Sequence, residues 1–133
     1  MKTCNILIID DDDDDVEILE DAFTKCGVND VHHVHSAMQA FMYLEEVKDI
    51  RLPKLIITDL YLPGISGDEF LKDLKGMETY RHLPVVVLSS VKTDAQIEVI
   101  KHYGAVDFLI KPNTYNEYLQ VAEGIKEKIA LLN

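Results

Sequence analysis

Five short runs of β-branched and aliphatic residues punctuate the chain, each followed by a stretch whose apolar residues recur at spacings of three and four. Residues 5–9, 31–35, 54–58, 85–88 and 106–110 are too short for helices and read as strands. The second is the most polar and reads as an edge. The stretches between them read as amphipathic helices. Val16, Leu19, Ala22 and Phe23 share one face of the first, and Ala37, Ala40, Phe41 and Leu44 mark the second. Phe70, Leu71 and Leu74 mark the third, and Ile97, Ile100 and Tyr103 the fourth. Tyr115, Tyr118, Leu119, Ala122, Ile125 and Ile129 form one stripe on the fifth. Strict alternation of strand and helix implies a parallel α/β sheet with helices on both faces, joined by right-handed crossovers.

Helix starts carry a second signal. Ser36 with Gln39, Ser66 with Glu69, Thr93 with Gln96 and Thr114 with Glu117 have capping-box spacing, and Asp14 with Glu17 is the acidic equivalent. One such match is a common accident. Five at the expected starts support the alternation. With 133 residues the chain is expected to form one domain, 1–133, with a hydrophobic core of its own.

The charge is lopsided. Of 24 acidic side chains, ten fall in the first 30 residues, beside only Lys2 and Lys25, and the net charge is −11. That balance argues against nucleic-acid binding, which needs a basic footprint, and suits a hydrated divalent cation or a basic protein partner. No apolar run approaches the roughly 20 residues of a membrane helix, so no membrane role is expected. Cys4 and Cys26 read as free thiols in a reducing cytoplasm, chemically inert.

Parallel strands deliver whatever follows them to one edge of the sheet, where ligands bind in open α/β folds. Asp10 and Asp11 follow the first strand, Asp59 the third, Ser89 and Ser90 the fourth, and Lys111-Pro112 the fifth. Clustered carboxylates need a cation between them, and hard oxygen ligands favour Mg²⁺ or Mn²⁺. A carboxylate beside a metal, an ammonium and a hydroxyl donor is arranged to receive a phosphoryl group. The product would be an aspartyl phosphate.

The motifs IIDDD (8–12), TDLYLPGISG (58–67), VVLSS (86–90) and LIKP (109–112) together resemble the four signatures of the two-component response-regulator receiver domain. Each is weak alone; four in order, each after its own strand, are specific. The resemblance covers nearly the whole chain. It implies a flavodoxin-like (βα)5 three-layer sandwich with a five-stranded sheet of order 2-1-3-4-5. It implies Asp59 as phosphoacceptor, Lys111 and Ser89 as its catalytic companions, and Mg²⁺ held by Asp10, Asp11, Asp59 and the Tyr61 backbone carbonyl. Ser89 and Phe108 match the switch positions. The implied donor is a phosphohistidine on a sensor histidine kinase or phosphotransfer protein. The output is altered binding to a protein target, and the face of helix 4, strand 5 and helix 5 is the surface for a homodimer. The chain is expected to be a switch and not a metabolic enzyme, without an output domain. The 67–84 segment with Tyr80-Arg81-His82-Leu83 also resembles receivers paired with phytochrome-type kinases.

Four positions depart from the commoner pattern, among them Phe108, which lacks the hydroxyl of the frequent Tyr and implies switching by packing alone. Tyr61 and Val91 stand where receivers often carry Asn or Met and a polar residue, along the route of the hydrolytic water, and imply slow self-dephosphorylation. Asn113 follows Lys111-Pro112 where an aromatic is common. Other features read structurally. Asp12, Asp13 and Asp15 are expected to be solvated at a helix start, with Asp14 as cap. His32, His33 and His35 are expected on a solvated edge, the latter two sharing a face. Tyr115 and Tyr118 are expected in the core.

Two rivals compete with the receiver reading, besides a scaffold that is never phosphorylated. Haloacid-dehalogenase-type phosphatases place Asp-x-Asp after strand one and Ser/Thr and Lys later, which Asp10, Asp12, Ser89 and Lys111 loosely fit, with Asp10 as nucleophile. No acidic pair follows Lys111, and Asp59 would have no role. A flavodoxin-like nucleotide binder would need a phosphate loop where six aspartates stand.

Overall fold

A computed structural model describes residues 2–132. Ten elements alternate without interruption: β1 (Ile6–Ile9), α1 (Asp13–Lys25), β2 (Val31–Val34), α2 (Ala37–Val47), β3 (Leu55–Thr58), α3 (Gly67–Lys75), β4 (Val85–Ser89), α4 (Asp94–His102), β5 (Asp107–Ile110) and α5 (Tyr115–Leu132). All strands are parallel, in the order β2-β1-β3-β4-β5. This is the flavodoxin-like three-layer sandwich expected. Ile9 lies level with Val34 and with Thr58, and Thr58 with Val87, so the strand ends line up along one edge.

Side-chain alternation divides the interior in two. Leu7, Ile9, Ile56, Val85 and Val87 face α2, α3 and α4, where Leu44, Phe70, Leu74 and Ile100 are fully or almost fully buried. Ile6, Ile8, Leu55, Ile57, Val86 and Leu88 face α1 and α5, packing against Leu19, Phe23, Ala122 and Ile125. β1, β3 and β4 are therefore apolar up to the polar residues Thr58 and Ser89 that end β3 and β4, as strands covered on both faces must be. Among the described residues, no helix is long and apolar enough to cross a membrane. Cys4 is buried, Cys26 half-buried, and both are free thiols.

Several local expectations need correction. Asp12, not Asp14, caps α1: its Oδ1 accepts from the amides of Asp14 and Asp15 at 3.1 and 3.2 Å. Ser66 occupies the N-cap of α3 without a side-chain hydrogen bond, whereas Thr93 and Gln96 form a complete capping box. Tyr115 is 41% exposed and donates its hydroxyl to Asp21 at 2.6 Å, because the stripe on α5 enters the core only from Tyr118 onward. The β2 histidines are not a free solvated edge. His32 stacks on Tyr43 with ring centroids 4.3 Å apart, His33 Nε2 meets the Asp10 carbonyl at 2.7 Å, and His35 pairs with Asp13.

Candidate functional site

Ile9, Thr58 and Ser89 end their strands, the first two level with each other and with Val87, and Ser89 two residues beyond, so the residues at and after these positions converge on one edge. Asp10 and Asp59 are buried, 6% and 8% exposed, at the ends of adjacent strands. Their backbones stay in the ladder: the Asp10 amide donates to Val34 and the Asp59 amide to Ile9. The carboxylates are thus fixed by the sheet itself. One carboxylate oxygen each from Asp10, Asp11 and Asp59 lies within 4.8 Å of the other two. Asp11, though exposed, belongs to this cluster.

Lys111, following β5, reaches back across the edge. Its Nζ lies 2.9 Å from Asp10 Oδ2, 2.9 Å from Asp15 Oδ2 and 3.0 Å from Asp59 Oδ2. Burial works against the charged ammonium, but the carboxylates of Asp10, Asp15 and Asp59 outweigh it and hold the lysine above its ordinary range. Burial pushes the Asp10 carboxyl up, opposed by the Asp12 amide, which donates to its Oδ1 at 3.0 Å, and by Lys111. Three carboxylates share one ammonium, so the pocket retains negative charge and has room in its electrostatics for a cation. Three all-oxygen donors gathered this closely fit a hard divalent ion such as Mg²⁺.

Ser89 is the second notable group. It is fully buried, and its Oγ has no hydrogen-bond partner. An unpaired buried hydroxyl costs about 1–3 kcal/mol, a cost that a ligand oxygen in the pocket would relieve. Ser89 is one register step beyond Asp59 on the neighbouring strand, and its carbonyl accepts from the Lys111 amide at 2.8 Å. Phe108 is buried among the α2, α3 and α4 residues, with Lys92 Nζ 5.8 Å from its ring centroid.

The loop after β3 completes the rim. The Tyr61 amide donates to Asp59 Oδ1 at 3.3 Å. The Tyr61 ring is 53% exposed, and its hydroxyl accepts from Gln96 Nε2 at 2.6 Å. Val91 is exposed as well. Asn113 is exposed, and its amide donates to Glu117 Oε2, extending the start of α5. Gly67 lets α3 begin against the backbone of Asp59: a Cβ there would lie 2.1 Å from the Asp59 carbonyl oxygen.

The structure therefore brings together Asp10, Asp11, Asp59 and Lys111, and supplies Ser89 on the adjacent strand. Asp15 also belongs to the site, contrary to its expected place on a solvated helix start. It lies on the first turn of α1, whose axis turns it toward Lys111, and no local pattern distinguishes it within six consecutive aspartates. Asp12, the second carboxylate of the phosphatase-like alternative, is committed to capping α1.

Residues 6–123 match the family model described as the response regulator receiver domain. Among curated proteins, the chain is 34% identical over 116 residues to the two-component response regulator ARR15 of Arabidopsis thaliana, covering 81% of this chain and 55% of that protein. It is 31% identical over 112 residues to ORR12 of Oryza sativa subsp. japonica, covering 84% and 89%. The chain thus spans about half the length of some relatives and nearly all of others. Among solved structures it resembles the phosphorylated cyanobacterial phytochrome response regulator RcpA, with 28% identity, a TM-score of 0.84, and 94% and 92% of the two chains covered. Chemotaxis response regulator CheY4 of Vibrio cholerae shares the fold, at 20% identity and a TM-score of 0.76 over 92% and 98% of the chains. Strand order, the acidic edge and these matches lead to one assignment: the chain belongs to the response regulator receiver domain family of two-component signalling.

Proposed function

We propose that this receiver is a phosphorylation switch in which Asp59 accepts a phosphoryl group from a phosphohistidine. The observation that carries the reading is the pairing of Asp59 Oδ2 with Lys111 Nζ at 3.0 Å, in a pocket whose only unpaired buried side-chain atom among the described residues is Ser89 Oγ. An Asp59 oxygen attacks phosphorus, the N–P bond of the donor breaks as the O–P bond forms, and the imidazole leaves neutral after taking up a proton. Lys111, steadied by Asp10 and Asp15, offers its ammonium to the phosphoryl oxygens. Ser89 donates its hydroxyl to the same group. Asp10, Asp11 and Asp59, with the Tyr61 carbonyl, are the groups that would hold Mg²⁺. Bound there, the ion supplies further charge neutralisation for the transferring group.

Phe108 is the inward aromatic beside this hydroxyl's strand and follows its movement, and the α4–β5–α5 face carries the changed binding, a second copy of the chain included. The partners that supply the phosphoryl group are a sensor histidine kinase or a phosphotransfer protein. Tyr61 and Val91, bulky and apolar and both exposed, favour a long-lived phosphorylated state. Rapid phosphate release, unchanged in Tyr61→Asn, would count against that last point.

The test is intact mass after incubation with acetyl phosphate or phosphoramidate, with and without Mg²⁺. A metal-dependent gain of one phosphoryl group in the wild type and none in Asp59→Asn is expected. A gain that survives in Asp59→Asn and disappears in Asp10→Asn overturns the reading in favour of phosphatase-like chemistry. No gain at all, with metal bound, leaves a scaffold.

A further inference from the structure

The three histidines near the second strand are not absorbed by the phosphorylation chemistry. Two of them, with one aspartate, make a cluster of a different kind from the all-oxygen pocket. His33 and His35 flank Val34, and alternation points them to the same side of β2, with ring centroids 4.5 Å apart and planes tilted by 52°. Asp13 opens α1 directly above them, its Oδ1 2.7 Å from His35 Nε2. One donor atom from each of Asp13, His33 and His35 lies within 4.8 Å of the other two.

The backbone selects the tautomer of one neutral imidazole. His33 Nε2 is 2.7 Å from the Asp10 carbonyl, and a carbonyl only accepts. Nε2 therefore carries a hydrogen, and in the neutral ring Nδ1 keeps its lone pair. A metal-binding imidazole is oriented in this way, its second nitrogen donating to a backbone carbonyl or carboxylate. The Asp13–His35 contact by itself accounts for two of the three side chains and not for the placement of His33.

We propose that Asp13, His33 and His35 form a site for a borderline divalent transition-metal ion, Zn²⁺, Ni²⁺ or Cu²⁺, separate from the acidic pocket. Two imidazoles and one carboxylate select this class, whereas the hard ions favoured by Asp10, Asp11 and Asp59 avoid imidazole. Tetrahedral bonds of about 2.0–2.1 Å bring donor atoms to roughly 3.4 Å from one another. The present cluster reaches that spacing by rotamer adjustment of Asp13 and His35, both exposed. Three protein ligands leave the remaining coordination to water. The surrounding aspartates, in a chain of net charge −11, raise the local concentration of cations.

The experiment is calorimetric titration of tag-free protein with Zn²⁺ in excess Mg²⁺, which occupies the acidic pocket. One equivalent is expected to bind saturably, about tenfold or more weakly in His35→Gln and in Asp13→Asn, and not at all in the His33→Gln/His35→Gln double variant. Circular dichroism establishes that the variants are folded, and the exposed single substitutions keep the test valid should the double variant unfold. Cu²⁺ in the same site is expected to show hyperfine coupling to two imidazole nitrogens in its electron paramagnetic resonance spectrum. Binding that persists undiminished in folded His35→Gln and Asp13→Asn, or that vanishes instead in Asp11→Asn, overturns the proposal. Absence of any saturable Zn²⁺ binding in Mg²⁺ does the same.

Discussion

Gly67→Ala is the substitution whose cost the backbone geometry determines most directly. The added Cβ would sit 2.1 Å from the Asp59 carbonyl oxygen, 2.8 Å from Leu60 Cα and 3.0 Å from the Asp59 carbonyl carbon. All three are main-chain atoms, so no side chain can swing away. Relief requires α3 and the β3–α3 loop to separate by about 1 Å, the shortfall from the 3.0 Å below which Cβ atoms essentially never come. That movement stretches the Gly67 amide bond to the Leu60 carbonyl, now 2.8 Å, at a cost of about 1 kcal/mol. It also loosens the fully buried Phe70, Leu71 and Leu74, and overpacking of this kind costs about 1–3 kcal/mol. Together these give about 3 kcal/mol, or roughly 10 °C in Tm for a chain of this size. Gly64→Ala is the control: its φ is +77° with nothing within 4 Å of the added carbon, so only left-handed strain of about 1–2 kcal/mol applies. Urea melts of both variants measure the difference. A Gly67→Ala loss below that of Gly64→Ala would refute the steric argument.

Other consequences follow from individual side chains. Asp12→Ala should cost about 1 kcal/mol through loss of the α1 cap, and Asp14→Ala much less; equal losses in urea melts would return the cap to Asp14. Lys111→Met leaves Asp10, Asp15 and Asp59 without their shared cation and should cost about 3 kcal/mol in chelator-treated buffer. Added Mg²⁺ should restore much of this, and a variant as stable as wild type without metal would contradict it. Burial raises the Cys4 thiol above its ordinary 9.0. The folded state then holds that proton more tightly, so this contribution is complete below pH 9.0 and is lost as pH rises through the raised value. Wild-type urea midpoints under reducing conditions should hold steady relative to Cys4→Ala below pH 9.0 and fall as the pH rises above it; parallel midpoints would show no linkage.

Strands and helix faces were legible because burial on two sides demands unbroken apolar runs, as in Leu55-Ile56-Ile57, while one-sided burial demands the Val16, Leu19, Phe23 spacing. The order of strands was not legible in the residues themselves; it came with the family resemblance, since periodicity says which face is buried but not which neighbour buries it. Asp10, Asp59 and Lys111 stood out because each directly follows a strand. Asp15 did not, because its partner Lys111 comes from the far end of the chain and its neighbours are chemically identical. The same uniformity hid the capping role of Asp12. Tyr115 was misplaced because a helical stripe gives direction around the axis and not the point where the axis enters the core. The approach of Gly67 to Asp59 is a matter of main-chain distances, to which sequence patterns are blind.

The reach of Lys111 also bears on how the domain folds. It closes on Asp59 across 52 residues and on Asp15 across 96, so the pocket does not exist until β5 has docked. Any species that has paired β1 with β3 but lacks β5 holds its carboxylates together without their counter-charge. Such intermediates are penalised by self-repulsion, and the last strand is drawn in by the charge that the first ones have accumulated. Loop closure of this length is slow, and high contact order lowers the folding rate further. The arrangement therefore couples chemical competence to completion of the fold: a chain that can present Asp59 beside its lysine is one whose sheet is already whole.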